Sequence, residues 1–465
     1  MISQIHRNKC VGPDTDDPGK IYLADLVSAF SVALDMTEGQ PAGHSIRCCW
    51  IGFQIGVAFG IDEADLSDLY YTILLKDLGC SSNAARICEL YLTDDLTFKH
   101  DVKTIDGSMS QALRFVLSHT CLKAGLAERF RTIVRVIQDG SKFNHELVQT
   151  RCYRGADIAR RMRFSEMVAD GIQNLDERWD GSGLPGHISG PDIPLFSRIA
   201  LLAQVVDVFQ TANGRDAALQ EIRSRSGSWF DPDFVETFEQ IAGDDCFWST
   251  LSSDELNTTL HRLQPRETGR PVDEDYLDDI AEAFAGVVDA KSPFTSGHSE
   301  RVTLYTDLIA QQLGFDARQR RWLKRAALLH DLGKLGISNS ILDKPDQLTD
   351  EEFDQIKLHP VYSENILANI AAFADIAPIA GGHHERLDGR GYPRGLKGSE
   401  IDIHTRIVTV ADIFDALTAD RPYRAAMPVT KALTLMSDMV GTAIDQHCFE
   451  ALQLALIEMD QDQVA

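Results

Sequence analysis

The 465-residue sequence predicts an all-α protein built from two tandem copies of one helical domain. Three observations carry this reading. Apolar residues recur at spacings of three and four in segments such as Arg320 to Leu332 and Arg406 to Leu417, while alternating runs are scarce, so the helical period dominates. The chain is about three times an ordinary ~150-residue domain, which favours more than one unit. The second half also repeats the first in register.

The repeat sets the order of elements. Gly297 to Arg301 (GHSER) matches Gly43 to Arg47 (GHSIR), and Leu328 to Lys334 (LLHDLGK) matches Leu74 to Cys80 (LLKDLGC), both at an offset of 254 residues. Further on, Glu385 to Pro393 matches Glu177 to Pro185, and Arg406 to Asp415 matches Arg198 to Asp207, both at an offset of 208. The first copy thus holds 46 more residues, the difference of the two offsets, read as a helical insertion near residues 85–130. A stretch rich in Pro, Gly and charge at 263–273 reads as a linker between a first domain, 1–262, and a second, 274–465.

Composition narrows the function. Lys+Arg 45 against Asp+Glu 70 gives a net charge of -25, spread over both halves, which argues against long nucleic acids and anionic membranes as partners. Nine cysteines lack CxxC spacing and no secretory signal opens the chain, so reduced thiols and a cytoplasmic location are expected. The longest apolar run, Cys48 to Ile61, contains Gln54 and is too short to span a bilayer.

Polar chemistry concentrates in the second copy, in His298, His330, Asp331, His359, His383, His384 and Asp412. Five imidazoles and two carboxylates exceed what one four-coordinate zinc needs and suit two first-row ions such as Fe or Mn. Asp412 lies inside the apolar run RIVTVADIF, where a carboxylate requires a cation. A metal pair satisfies it and supplies a hydroxide nucleophile for phosphoryl displacement. Taken singly, such residues are usually structural, and His404, His447 and Asp415 are read that way. The turn Asp388-Gly389-Arg390-Gly391-Tyr392-Pro393 either presents Tyr392 to the site or is a plain structural turn. The basic run from Arg318 to Arg325 reads as a solvated helix face.

The ordered set HDLGK at His330 to Lys334, His359-Pro360, HHERLDGRGYP at His383 to Pro393 and VADIFDALTADRPYR at Val410 to Arg424 resembles the HD-GYP phosphodiesterases, all-α members of the HD superfamily. The resemblance spans roughly Asp275 to Glu458. It implies hydrolysis of a cyclic dinucleotide, usually cyclic di-GMP, to a linear dinucleotide or GMP by a metal-activated hydroxide. It also implies metal ligation by the seven residues above, Asp331 as bridge, charge stabilisation by Lys334, and substrate contacts from Tyr392, Arg421 and Arg424. Trinuclear members carry a Glu where this chain has Phe294, so a dinuclear Fe or Mn site is expected. Alternatives are 3′3′-cyclic GMP-AMP (3′3′-cGAMP) as substrate, a nucleotide phosphohydrolase, and a non-catalytic cyclic-dinucleotide effector.

The first copy loses this set. Lys76 replaces His330, Arg151 replaces His359, Leu175 and Asp176 replace the histidine pair, Gln204 replaces Asp412, Cys80 replaces Lys334 and Leu184 replaces Tyr392. The frame residues Glu177, Gly181, Gly183, Pro185, Arg198 and Asp207 remain. The first domain is therefore read as a degenerate copy with a regulatory or structural role, through a homodimer, a regulatory protein or its own second half.

Overall fold

The computed structural model describes residues 22–105, 109–121, 125–263, 272–420 and 424–464, and these form helices joined by short turns. Among the described residues the β contacts are isolated bridges such as Asp388 with Lys397, so the all-α expectation is met. Residues 264–271, most of the expected linker at 263–273, and Arg421 lie outside the described residues.

The two halves use the same helices in the same order. His44–Phe59 corresponds to His298–Gln312, Glu63–Leu74 to Ala317–Leu329, and Leu195–Asn213 to Ile403–Thr418. A short 3-10 turn follows each HD-like position, Cys80–Asn83 in one half and Leu332–Gly336 in the other. Local chemistry starts and stops these elements. Gly43 and Gly297, at φ of 81° and 67°, take the left-handed conformation immediately before the helices that begin with His44 and His298. The Asp316 side chain and Gln319 form a reciprocal capping box at the start of Ala317–Leu329.

The additional residues of the first half form the helices Ala84–Tyr91, Asp95–Val102 and Met109–His119 and pack on part of the long helix Leu126–Arg161. They build a satellite core from Ile87, Leu90, Tyr91, Phe98, Phe115, Val136, Phe143 and Leu147. The main core is continuous across both halves. Phe30 of the first half stacks on Phe284 of the second with ring centroids 3.8 Å apart and meets Phe373 edge-on at 6.0 Å. Burying one such ring contributes about 1.5–3 kcal/mol, so the halves are packed together and not merely tethered.

Leu195–Asn213 is long and apolar enough by composition to cross a membrane, and 67% of that window is buried in the fold as a core helix. Arg198, Gln204 and Asp207 punctuate it, so it does not stand out in the sequence as an apolar run.

Candidate metal centre

Five segments converge on one buried point in the second half. The helix starting at His298 supplies that imidazole. The end of Ala317–Leu329 supplies His330 and Asp331. The start of His359–Ala368 supplies His359, and the end of Ala377–Gly382 with the middle of Ile403–Thr418 supplies His383, His384 and Asp412. Backbone packing permits this approach. A Cβ on Gly333 would stand 2.0 Å from the His359 carbonyl oxygen, so only glycine lets the HD turn and the His359 helix touch.

Two triads result. Donor atoms of His298, His330 and Asp412 lie within 4.8 Å of one another, and so do those of His359, His383 and His384. Asp331 stands between them. Its Oδ2 is 3.2 Å from His298 Nε2 and 3.3 Å from His330 Nε2, and its Oδ1 is 3.3 Å from His359 Nε2 and 3.7 Å from His383 Nε2. The seven residues singled out by sequence are thus all brought together.

The outer ring nitrogens are already committed. His330 Nδ1 donates to Ala327 O at 2.6 Å, His359 Nδ1 to Ile356 O at 2.7 Å, and His383 Nδ1 to Ala380 O at 2.6 Å. His298 Nδ1 donates to Asp415 Oδ2 at 2.6 Å. These bonds fix each ring so that Nε2 faces inward, as metal-binding imidazoles require. His298 Nε2, His330 Nε2 and Asp331 Oδ1 are buried without a hydrogen-bond partner among the described residues. Orphaned donor atoms pointing at one spot are expensive unless a cation occupies it, so the residues fit a metal group.

Electrostatics agree for the triad of His359, His383 and His384. Burial, reinforced by His330 and His359, lowers His383 to about 3, and burial also lowers His359 and His384, keeping these rings neutral with a free lone pair. At Asp331, burial favours the protonated acid but is outweighed by the His330 and Lys334 charges, so it remains a carboxylate. For His298, burial is outweighed by the neighbouring carboxylates of Asp331, Asp415 and Asp412, which lift it to about 9. The Lys334 ammonium bonds Asp331 directly, at the rim of the centre.

The turn with Tyr392 borders the same point. Gly389 takes φ of 75°, and a Cβ on Gly391 would fall 2.4 Å from Arg386 N, so both glycines are needed by the backbone. Glu385 holds the loop, accepting from Arg394 N–H at 2.7 Å and Leu396 N–H at 2.9 Å. Tyr392 packs against His384 with centroids 4.8 Å apart. Arg424 sits elsewhere: its guanidinium donates to Ala416 O at 2.5 Å and Leu417 O at 2.9 Å, bracing the end of Ile403–Thr418. The basic helix face is more engaged than a solvated surface. Arg320 pairs with Asp307 at 2.7 Å and Arg325 with Asp278 at 2.5 Å.

Asp415 does more than the sequence reading allowed. It orients His298 and also accepts from Arg301 Nε at 2.5 Å. The signal was the repeat: its counterpart Asp207 persists in the half that lost the metal-type residues, and there it accepts from His44 Nδ1 at 2.7 Å.

In the first half the corresponding point is filled with charge. Buried Lys76 pairs with Asp77. Lys103 Nζ lies 2.7 Å from Glu38 Oε2 and 3.9 Å from Asp77 Oδ1, and Arg151 Nε donates to Asp176 Oδ2 at 3.0 Å. Glu38, Asp77 and Cys80 are close enough to form a donor set, but their carboxylates are already neutralised by ammonium groups.

Comparison with known proteins agrees with this geometry. The chain matches the HD domain family over residues 103–234 and 282–448. The chain belongs to the HD domain family. Within that family it is 54% identical over 434 residues to the 3′3′-cGAMP-specific phosphodiesterase 3 of Vibrio cholerae, covering 93% of this chain and 94% of the relative. It is 30% identical to the 3′3′-cGAMP-specific phosphodiesterase 1 of the same organism, over 79% of this chain and 89% of the relative. A cyclic di-GMP phosphodiesterase response regulator of Xanthomonas campestris is 38% identical over 38% of this chain and 48% of its own length. The crystal structure of a V. cholerae cyclic GMP-AMP specific phosphodiesterase superposes with a TM-score of 0.65 and 48% identity, covering 94% of this chain and 98% of the other. The two matched family segments fall one in each half, so this HD protein is a tandem of the HD-GYP type.

Proposed function

We propose that this HD protein is a metal-dependent phosphodiesterase that opens 3′3′-cGAMP. The observation that carries the reading is the 54% identity to an enzyme named for that substrate across 93% of this chain, both halves included. The motif resemblance taken alone favoured cyclic di-GMP. That molecule is the second reading, supported by relatives named for it that match a smaller share of the chain, such as 38%.

In this reading His298, His330, Asp412, His359, His383 and His384 would hold the metal group together with Asp331, which lies between the two triads. Phe294 argues for two ions, Fe or Mn. When bound, such a pair supplies Lewis acidity at the scissile phosphate and a nucleophile at neutral pH. The protein's own part is electrostatic and positional. Asp331 sets the separation of the triads. Lys334 offers a point charge for the developing charge on phosphate. Tyr392, stacked beside His384, meets the substrate, and Arg421 holds a phosphate or guanine edge. Arg424 joins it only by exchanging the carbonyls it now braces. Opening the ring gives a linear dinucleotide, which a second cut converts to mononucleotides. Residues 1–262 form the degenerate domain, 263–273 the linker and 274–465 the catalytic domain. A homodimer or regulatory protein as partner rests on sequence reasoning alone. A cytoplasmic location accords with a second-messenger substrate.

The test is hydrolysis of 3′3′-cGAMP and of cyclic di-GMP by manganese- or iron-loaded protein, beside a His330→Ala/Asp331→Ala control. Faster loss of 3′3′-cGAMP is expected. Consumption of neither substrate above the control overturns the reading.

A further inference from the structure

A buried ionic network ties the first half of the chain to the two turns that carry the metal-type residues of the second. Asp95 opens the helix Asp95–Val102 and is fully buried. Its Oδ1 accepts from Asn339 N–H at 2.8 Å and from the Ser338 hydroxyl at 3.0 Å. Its Oδ2 lies 3.6 Å from Lys291 Nζ and 3.9 Å from Lys99 Nζ.

Lys291 is itself 1% exposed, and its ammonium donates to Leu335 O at 3.1 Å. Leu335 follows Lys334, whose own ammonium bonds Asp331. Asn339 Nδ2 donates back to Lys291 O at 2.6 Å and closes a ring. On the other side of Lys291 a short turn leads to Thr295, whose hydroxyl donates to Ser292 O at 3.0 Å and whose carbonyl accepts from His298 N–H at 2.9 Å. One carboxylate of the first half therefore fastens the turn after the HD pair and the turn before the first histidine.

The first half has a related contact. Lys99 donates to Thr37 O and Cys80 O, each at 3.0 Å, and these two residues align with Lys291 and Lys334 at the offset of 254. Asp95 sits between the two copies of the same turn. A fully buried ammonium needs a counter-charge, and the one the structure gives Lys291 comes from the other half.

We propose that Asp95 is a positioning residue for the centre of the second half, acting through Lys291 and the Ser338-Asn339 turn to fix the segment that bears Asp331 and Lys334. The inference rests on the phosphodiesterase reading of that centre. It assigns the degenerate half a specific contribution to the active half: the counter-charge and hydrogen-bond acceptor without which the turn under Lys334 is unsupported.

The experiment uses full-length protein with Asp95→Asn, Lys291→Met and the two combined, each beside the wild type. It reads kcat and KM for 3′3′-cGAMP per folded chain, manganese affinity without substrate, and Tm. Asp95→Asn is expected to lower kcat about 10–100-fold and to weaken manganese binding about tenfold, with KM within about twofold, as supports behind metal ligands do. Lys291→Met is expected to give a similar loss, and the double variant no further loss, because both act through one linkage. If Asp95→Asn yields no folded protein, Ser338→Ala removes one neutral hydrogen bond from the same carboxylate and lowers kcat about two- to fivefold. A wild-type kcat and manganese affinity in the folded variants, with only Tm reduced, overturns the proposal, and so do multiplicative losses in the double variant. Failure of the wild type to hydrolyse 3′3′-cGAMP would instead sink the substrate reading, and manganese affinity would then decide the role of Asp95.

Discussion

The two halves have one frame and opposite electrostatics. Gly79 and Gly333 make the same close approach, where a Cβ would fall 1.8 Å from Arg151 O in one half and 2.0 Å from His359 O in the other. Glu177 and Glu385 each hold their loop by two backbone N–H groups, and Asp207 and Asp415 each hold a histidine and an arginine. Inside that frame, the second half collects imidazoles and carboxylates with inward atoms left unpaired, while the first places Lys76, Lys103 and Arg151 against carboxylates. A buried ammonium can do the charge-balancing that an ion would do, but it offers no open coordination position. The difference teaches that the fold needs a positive charge at this point and that only one half obtains it in a form suited to chemistry.

The sharpest way to break the comparison is to remove the same aspartate from each half. Asp331→Ala is expected to lower hydrolysis on the order of 10³-fold or more and to lose bound metal, since it sits between both triads. Asp77→Ala should leave kcat within about tenfold but strand Lys76 in the interior, costing about 3–5 kcal/mol. Steady-state assays with urea unfolding separate the two outcomes. A fully folded Asp77→Ala protein without activity would show that the first half takes part in the chemistry.

A smaller and more symmetric effect is expected at the paired glycines. Gly79→Ala and Gly333→Ala both push a Cβ into a carbonyl oxygen, and each should cost about 1–3 kcal/mol in unfolding experiments. Only Gly333→Ala should also reduce bound metal, because the backbone it displaces carries His359. Equal metal content in both variants would mean that the His359 helix can shift without disturbing the triads.

Much of this was legible in the sequence because the repeat acts as an internal control. Five of the seven positions that converge on the centre differ between the copies, while His298 and Asp331 survive as His44 and Asp77. Those two escape the rule for a physical reason: His44 is held by Asp207, and Asp77 is needed by Lys76, which stands where the second half has His330. Less legible were contacts that depend on how the halves dock. Nothing in the spacing of Asp95, Lys291 and Asn339 announces that they meet, since they come from an insertion and two separate turns. Arg424 shows the converse: an arginine in a family motif can be spent on helix-end carbonyls.

The smallest predicted effect concerns pH and one histidine. His44 is fully buried and held near a pKa of about 4, first by burial and then by the Lys76 charge, against the pull of Asp207. Its folded pKa thus lies below the unfolded value of about 6.5. The neutral ring is the form the fold prefers, so its contribution is complete above pH 6.5 and is lost as pH falls toward 4. At one unit per ~1.4 kcal/mol, the loss approaches about 3 kcal/mol at most. His44→Gln keeps a donor for Asp207 but cannot titrate, so its unfolding free energy should change less between pH 7 and 4.5 than that of the wild type. The counterpart His298 is pushed the opposite way because it faces Asp331 and Asp412 where His44 faces a lysine. An identical acid dependence in His44→Gln and wild type would mean that the lysines of the first half do not hold this ring neutral, and the electrostatic contrast between the halves would lose its most local support.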